Sequence, residues 1–116
     1  MQELLTLPEP PTAVMTANDL TAIGALRLVH ERGLEVPRDI SIVGFDDTDF
    51  CRILHPPLSS IRLSREEYAK AFYHALTEGW EEPGALGKQY SVTTSLVVRA
   101  SSGPASRRRS TTKSKD

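Results

Sequence analysis

The chain has 116 residues, 25% of them charged and 39% hydrophobic, with a formal net charge of −1. That is enough for one soluble globular domain with a single core, and it contains no apolar run of the roughly 18 residues a membrane span needs. One cysteine, Cys51, excludes an internal disulfide, and His30, His55 and His74 lie too far apart to suggest a metal-ligand pattern. No metal or cofactor is expected.

The charge is uneven. Residues 1–100 carry nine basic against fourteen acidic side chains, whereas residues 101–116 carry five against one. An acidic body makes a poor nucleic-acid surface. The small, polar, basic end, residues 103–116, is expected to be a disordered solvated tail.

In chain order, Met1 to Leu7 reads as a scrap of helix cut short by Pro8, with Glu9-Pro10-Pro11 a stiff connector. Thr12 to Ala17 is apolar on both faces and predicts a strand buried from both sides. From Asp19 to Arg32 the period changes to that of a helix. Ala22, Ile23, Leu26 and Val29 share one face, Arg27 and Glu31 lie opposite at i, i+4, Asn18 or Asp19 caps the start, and Gly33 supplies the stop. Ile40 to Phe45 is a second all-apolar strand. Strand, helix and strand with short links make a βαβ unit with parallel strands.

Asp47 to Pro57 reads as an irregular loop and Leu58 to Leu63 as a third strand. Ser64 and Glu67 have capping-box form. They open a helix expected to bury Tyr68, Phe72, Ala75 and Leu76 and to stop at Gly79. Trp80 to Gly87 is a loop, and Val92 to Val98 supplies the last strand.

Both βαβ strands end in carboxamide and carboxylate groups, Asn18-Asp19 and Asp46-Asp47. An open α/β sheet holds small ligands at such strand ends. Asn18 offers an acceptor and two donors and Asp46 two acceptor oxygens, a set suited to vicinal hydroxyls or ring nitrogens. The same residues also serve as caps and turn formers, the more so Asp19 and Asp47. The cluster Asp46, Asp47 and Asp49 has a second reading, a Mg²⁺ site for phosphoryl transfer. It lacks a phosphate loop, and the basic residue it would have to use is Arg99, at the end of the last strand. A helix-turn-helix reading of residues 20–45 fails, because Ile40 to Phe45 is β-branched and apolar where a polar recognition helix is required.

The ordered set of AND (Ala17 to Asp19), GLEVPRDISIVGFDD (Gly33 to Asp47), PPLSSI (Pro56 to Ile61) and LVVR (Leu96 to Arg99) resembles the lactose/galactose-repressor (LacI/GalR) family of transcription regulators. The match runs over residues 1–102. The resemblance implies an α/β fold: the C-terminal part of a periplasmic-binding-protein-like sensor domain, with parallel strands, flanking helices and most of the N-terminal lobe missing. It implies a small-molecule effector, a sugar or derivative, contacted by Asn18 and Asp46. It places Ile23, Arg27, Phe50, Ile53 and Leu54 at a homodimer interface. Operator DNA is then reached only through a helix-turn-helix that these residues do not include. The expected role is effector sensing in a cytoplasmic regulator, with no enzymatic activity and no membrane partner. The alternative is part of a sugar-binding protein of a transporter. One departure is Leu63, where many members carry Gln near the cleft, so that polar contact is not expected here.

Overall fold

A computed structural model describes residues 1–81 and 88–105. The elements run α1 (Gln2–Leu5), β1 (Ala13–Met15), α2 (Asp19–Glu31), β2 (Ser41–Phe45), α3 (Phe50–Ile53), β3 (Ser59–Leu63), α4 (Arg65–Glu81) and β4 (Thr94–Val97). The sheet order is β1-β2-β3-β4. β1, β2 and β3 are parallel, with Val14 opposite Ile42 and Gly44 opposite Ser60, and β4 is antiparallel to β3.

The β1-α2-β2 unit is the one the periodicity predicts. β2 is an interior strand, hydrogen-bonded on both edges, and its run of β-branched and aromatic residues suits that place. α2 starts at Asn18, whose side chain accepts from the Thr21 N–H at 2.8 Å and from the Thr21 hydroxyl at 2.7 Å. It ends before Gly33, which takes the left-handed φ of 69° that a side chain would resist. Its inner face, Ala22, Ala25, Leu26 and Val29, packs with Ile40, Ile42, Cys51 and Leu58 to form the core. Burying each of the larger aliphatics contributes about 1.5–3 kcal/mol.

Four expectations are corrected. β1 is not covered on both faces: it is the outer strand of the sheet, with Met15 62% exposed. The segment after β2 is not wholly irregular, since Phe50–Ile53 forms the single turn α3, which sends Cys51 into the core. The helix after Ser64 does begin with the Ser64 hydroxyl accepting from the Glu67 N–H at 3.3 Å, but it passes Gly79 and runs to Glu81. Nor does it bury its apolar side. Tyr68, Phe72 and Leu76 are more than half exposed, because α4 has no substantial packing partner among the described residues.

The Trp80 to Gly87 loop falls largely outside the described residues, as does the tail beyond residue 105. Gly103, expected in that tail, instead exchanges hydrogen bonds with the Ser41 hydroxyl. No described helix is long and apolar enough to cross a membrane.

Candidate functional site

The carboxyl ends of β1 and β2 are joined by a buried polar knot. Asp19, 2% exposed, turns inward from the first turn of α2. Its Oδ1 accepts from the Ser60 hydroxyl at 2.6 Å, and its Oδ2 accepts from the Thr48 N–H at 2.7 Å and the Thr48 hydroxyl at 2.9 Å. The Ser60 hydroxyl in turn accepts from the Asp47 N–H at 3.1 Å. The turn after β1, the turn after β2 and the middle of β3 are thereby fastened through one carboxylate.

Gly44 makes room for it. A Cβ there would fall inside the van der Waals envelope of Asp19 Oδ1 and 3.0 Å from Leu58 Cδ2. The strand glycine thus marks a close approach between β2 and a buried anion.

Asp47 forms a second knot. Its side chain is 3% exposed, and its two oxygens accept from Arg99 Nη2 and from the Arg62 guanidinium, each at 2.6 Å. Arg99 also donates from Nη1 to the Leu58 carbonyl at 2.7 Å, and its backbone N–H bonds the Ser59 hydroxyl. Below it, buried Ser101 fills the gap between β2 and β3. Its hydroxyl donates to the Ile42 carbonyl at 2.6 Å and accepts from the Ser59 N–H at 2.8 Å. Among the described residues, no buried side-chain polar atom lacks a partner, as a stable interior requires.

Asp19 and Asp47 are therefore structural, as their positions beside caps and turns suggested. Asn18 and Asp46 differ from them. Both are exposed, one at each strand end. Asn18 commits its oxygen to capping α2, leaving its amide N–H groups for other partners. Asp46 sits at φ 107° and Asp47 at 51°, both in the left-handed region. Aspartate enters that region more readily than most residues, but φ near 107° still costs a side chain on the order of 1–3 kcal/mol. The Asp46 N–H bonds the Ile61 carbonyl at 2.9 Å, which pins the turn in this conformation.

Burial pushes the Asp19 carboxyl upward, but the hydrogen bonds from Ser60 and Thr48 outweigh it and hold it below the ordinary carboxylate value. For Asp47 burial is likewise overcome, by Arg99 first and Arg62 second. Burial and the neighbouring Asp19 push the Cys51 thiol up, which keeps it unreactive. With both carboxyls depressed in the fold, the unfolded chain binds protons first as pH falls. Their stabilisation is complete above the unfolded value near 3.8 and is lost as pH drops through the folded values. Urea midpoints are therefore expected to be level from neutral pH down to about 5 and to fall steeply below about 4. Asp47→Asn should flatten that fall, and a wild-type midpoint unchanged in strong acid would refute the assignment.

The interface candidates divide in two. Phe50 and Ile53 project from α3, 60% and 77% exposed, and Leu20, which the periodicity did not single out, is 77% exposed on α2. Ile23, Arg27 and Leu54 instead line a groove of about 630 Å³ together with Leu26, Val36 and Pro56. Arg27 pairs with Glu31 at 2.8 Å on the surface. Among the described residues no three His, Cys, Asp or Glu side chains gather as a metal site, and the Asp47 carboxylate is already occupied by two guanidinium groups.

A family model described as periplasmic binding protein-like domain matches residues 1–102. The chain belongs to that family. Its relatives include HTH-type transcriptional repressors and solved structures of LacI transcriptional regulators. It is 38% identical over 104 residues to the HTH-type transcriptional repressor PurR of Haemophilus influenzae (strain PittEE), covering 87% of this chain and 31% of that one. It superposes on the crystal structure of a LacI transcriptional regulator from a Rhodococcus species with a TM-score of 0.76 at 35% identity, covering 91% of this chain and 39% of the other. A LacI family transcriptional regulator from Lactobacillus casei with bound sucrose matches with a TM-score of 0.65 at 29% identity, over 87% of this chain and 38% of that one. The chain spans between about a fifth and a third of the length of the curated relatives it matches.

The four sequence motifs that carry the LacI resemblance meet in the two knots. Asp19 comes from the first, Gly44 and Asp47 from the second, Ser60 from the third and Arg99 from the fourth. What sequence reasoning missed was that these are one network. The signals were present as two serines inside a short strand and an arginine just past the end of another.

Proposed function

We propose that this chain is the effector-sensing portion of a LacI-type transcriptional regulator that responds to a sugar or a related polyhydroxyl metabolite. The observation that carries the reading is the strand-end turn. Asp46 is exposed at a strained positive φ, on a loop that Asp19, Ser60 and Asp47 rigidify from beneath. Backbone strain held by an over-determined surround is a mark of binding sites, and an exposed carboxylate there accepts hydroxyl hydrogen bonds worth about 1.5–3 kcal/mol each. Asn18 adds amide donors from the neighbouring strand end. The sucrose bound by the Lactobacillus casei relative supports the ligand class.

In this reading the α2–α3 face, with Ile23, Arg27, Phe50, Ile53 and Leu54, meets a second copy. Operator DNA is contacted through a helix-turn-helix elsewhere in a cytoplasmic protein, and the chain catalyses nothing. The relatives' names as transcriptional repressors favour a regulator over a transporter component.

The test is NMR titration of the chain with neutral mono- and disaccharides, sucrose first, followed at the amides of residues 17–19 and 45–48. Shifts are expected there at millimolar sugar and should vanish in Asp46→Gly. That variant also separates binding from folding. Glycine relieves the φ of 107° at an entropic cost of roughly 0.5–1 kcal/mol, so its stability should equal or exceed wild type by up to about 2 kcal/mol. Sugar shifts that persist undiminished in Asp46→Gly would exclude Asp46 as the contact.

A further inference from the structure

β3 leaves the sheet before it ends. Ser59, Ser60 and Ile61 pair with β2 on one side and residues 97 and 96 lie opposite Ser60 and Ile61 on the other, but Arg62 and Leu63 pair only with Ser95 and Thr94 of β4. Beyond residue 63 the chain enters α4, which has no substantial packing partner among the described residues, and it returns through β4. Among the described residues, 64–81 and 88–93 are therefore tied to the body by a two-stranded ribbon. A ribbon of two strands twists more freely than a sheet, so its direction has to be set by side chains at its root.

Asp47 stands at that root. One carboxylate oxygen accepts from Arg62 on the outgoing strand, and the other accepts from Arg99, just past the end of the returning strand. The same residue follows Asp46 in the turn and occupies the second of two consecutive left-handed positions. Asp47 thus links the backbone of the Asp46 turn directly to both guanidinium groups.

We propose that Asp47 is a positioning residue that sets the direction of the β3–β4 ribbon, and with it of α4, from the conformation of the Asp46 turn. This rests on the effector reading only for what moves the turn; the clamp itself rests on the geometry. Breaking the clamp should free the ribbon while leaving the core, which lies on the other side of β2 among α2, Ile40 and Ile42, folded.

The experiment places spin labels at Arg32→Cys, past the end of α2, and Tyr73→Cys, on the exposed face of α4, in the full 116-residue chain. Cys51 is fully buried and takes no label. Electron spin resonance should give one narrow distance distribution. Asp47→Asn, well below its own unfolding midpoint, is expected to lose it, as is Arg62→Gln, whose half-exposed side chain makes it the milder change. Arg38→Gln, which removes exposed ion pairs to Glu35 and Asp39, should not. A distribution unchanged in both Asp47→Asn and Arg62→Gln overturns the proposal. Sucrose is then added to the wild type. A shifted distance accompanied by NMR shifts at Asp46 supports the transmission, and NMR shifts with no change in distance overturn it. Absence of NMR shifts counts against the effector reading alone, leaving the clamp to be judged by the variants.

Discussion

Asp19→Ala is expected to lower the stability of the chain by about 3 kcal/mol or more in urea unfolding, among the largest effects of any single substitution. The carboxylate is the shared acceptor for the Thr48 N–H, the Thr48 hydroxyl and the Ser60 hydroxyl. Each donor left unsatisfied in a buried site costs on the order of 1–3 kcal/mol, although the two hydroxyls recover part by rotating. Against a typical total of about 5–15 kcal/mol, that is a large fraction.

A double-mutant cycle tests the cause as well as the size. Gly44→Ala in the wild type should cost about 1–3 kcal/mol through overpacking against Asp19 Oδ1 and Leu58. In the Asp19→Ala background the carboxylate is gone and Leu58 can yield, so the second substitution should cost less by at least about 0.5 kcal/mol. Strictly additive losses would mean that Gly44 is glycine for some reason other than the anion beside it.

Arg99→Met should cost about 3 kcal/mol by thermal or urea unfolding. Methionine keeps the apolar stem but leaves Asp47, 3% exposed, with Arg62 as its sole cationic partner and the Leu58 carbonyl without its guanidinium donor. Removing one member of a buried pair strands the other charge, so Asp47→Asn combined with Arg99→Met should recover part of the loss. Arg99→Lys should fall between. An ammonium restores the charge but cannot reach Asp47 and the Leu58 carbonyl with the same planar fork. If Arg99→Met unfolds within about 0.5 kcal/mol of wild type, as a neutral surface change would, the Asp47 knot holds nothing together.

The local grammar of the chain was legible from its residues. The change of period at Asp19, the caps at Asn18 and Ser64 and the stop at Gly33 define a βαβ unit followed by a capped helix, and the structure contains them. The second layer was hidden because it is built from contacts between distant positions. Thr48 meets Asp19 across 29 residues, Ser60 meets Asp19 across 41 and Arg99 meets Asp47 across 52. No window of sequence holds both ends of any of them.

Hydrophobic patterning misled at two places for one reason. It reports which face of β1 or α4 is apolar and is silent about whether anything lies against it. Met15, Phe72 and Leu76 are apolar and remain uncovered. For the strand-end residues, the sequence supplied four polar side chains of similar chemistry. Position beside caps and turns already set Asp19 and Asp47 apart, and direction of projection places them in the interior with Asn18 and Asp46 on the surface.

The pairing of Leu63 with Thr94 has a practical side. Those two residues face each other across antiparallel strands, and the segment after β4 is fastened independently by Ser101 and Ser102 to β2 and β3. Among the described residues, those from Ser64 to Thr93 thus leave and rejoin the molecule at one point. A two-residue Asn-Gly link is the natural closure for such a pair, and it would turn β3 and β4 into a simple hairpin. The trimmed protein would shed Tyr68, Phe72, Leu76 and Trp80 from its surface while keeping every residue of both knots, a minimal scaffold on which the strand-end turn stands alone.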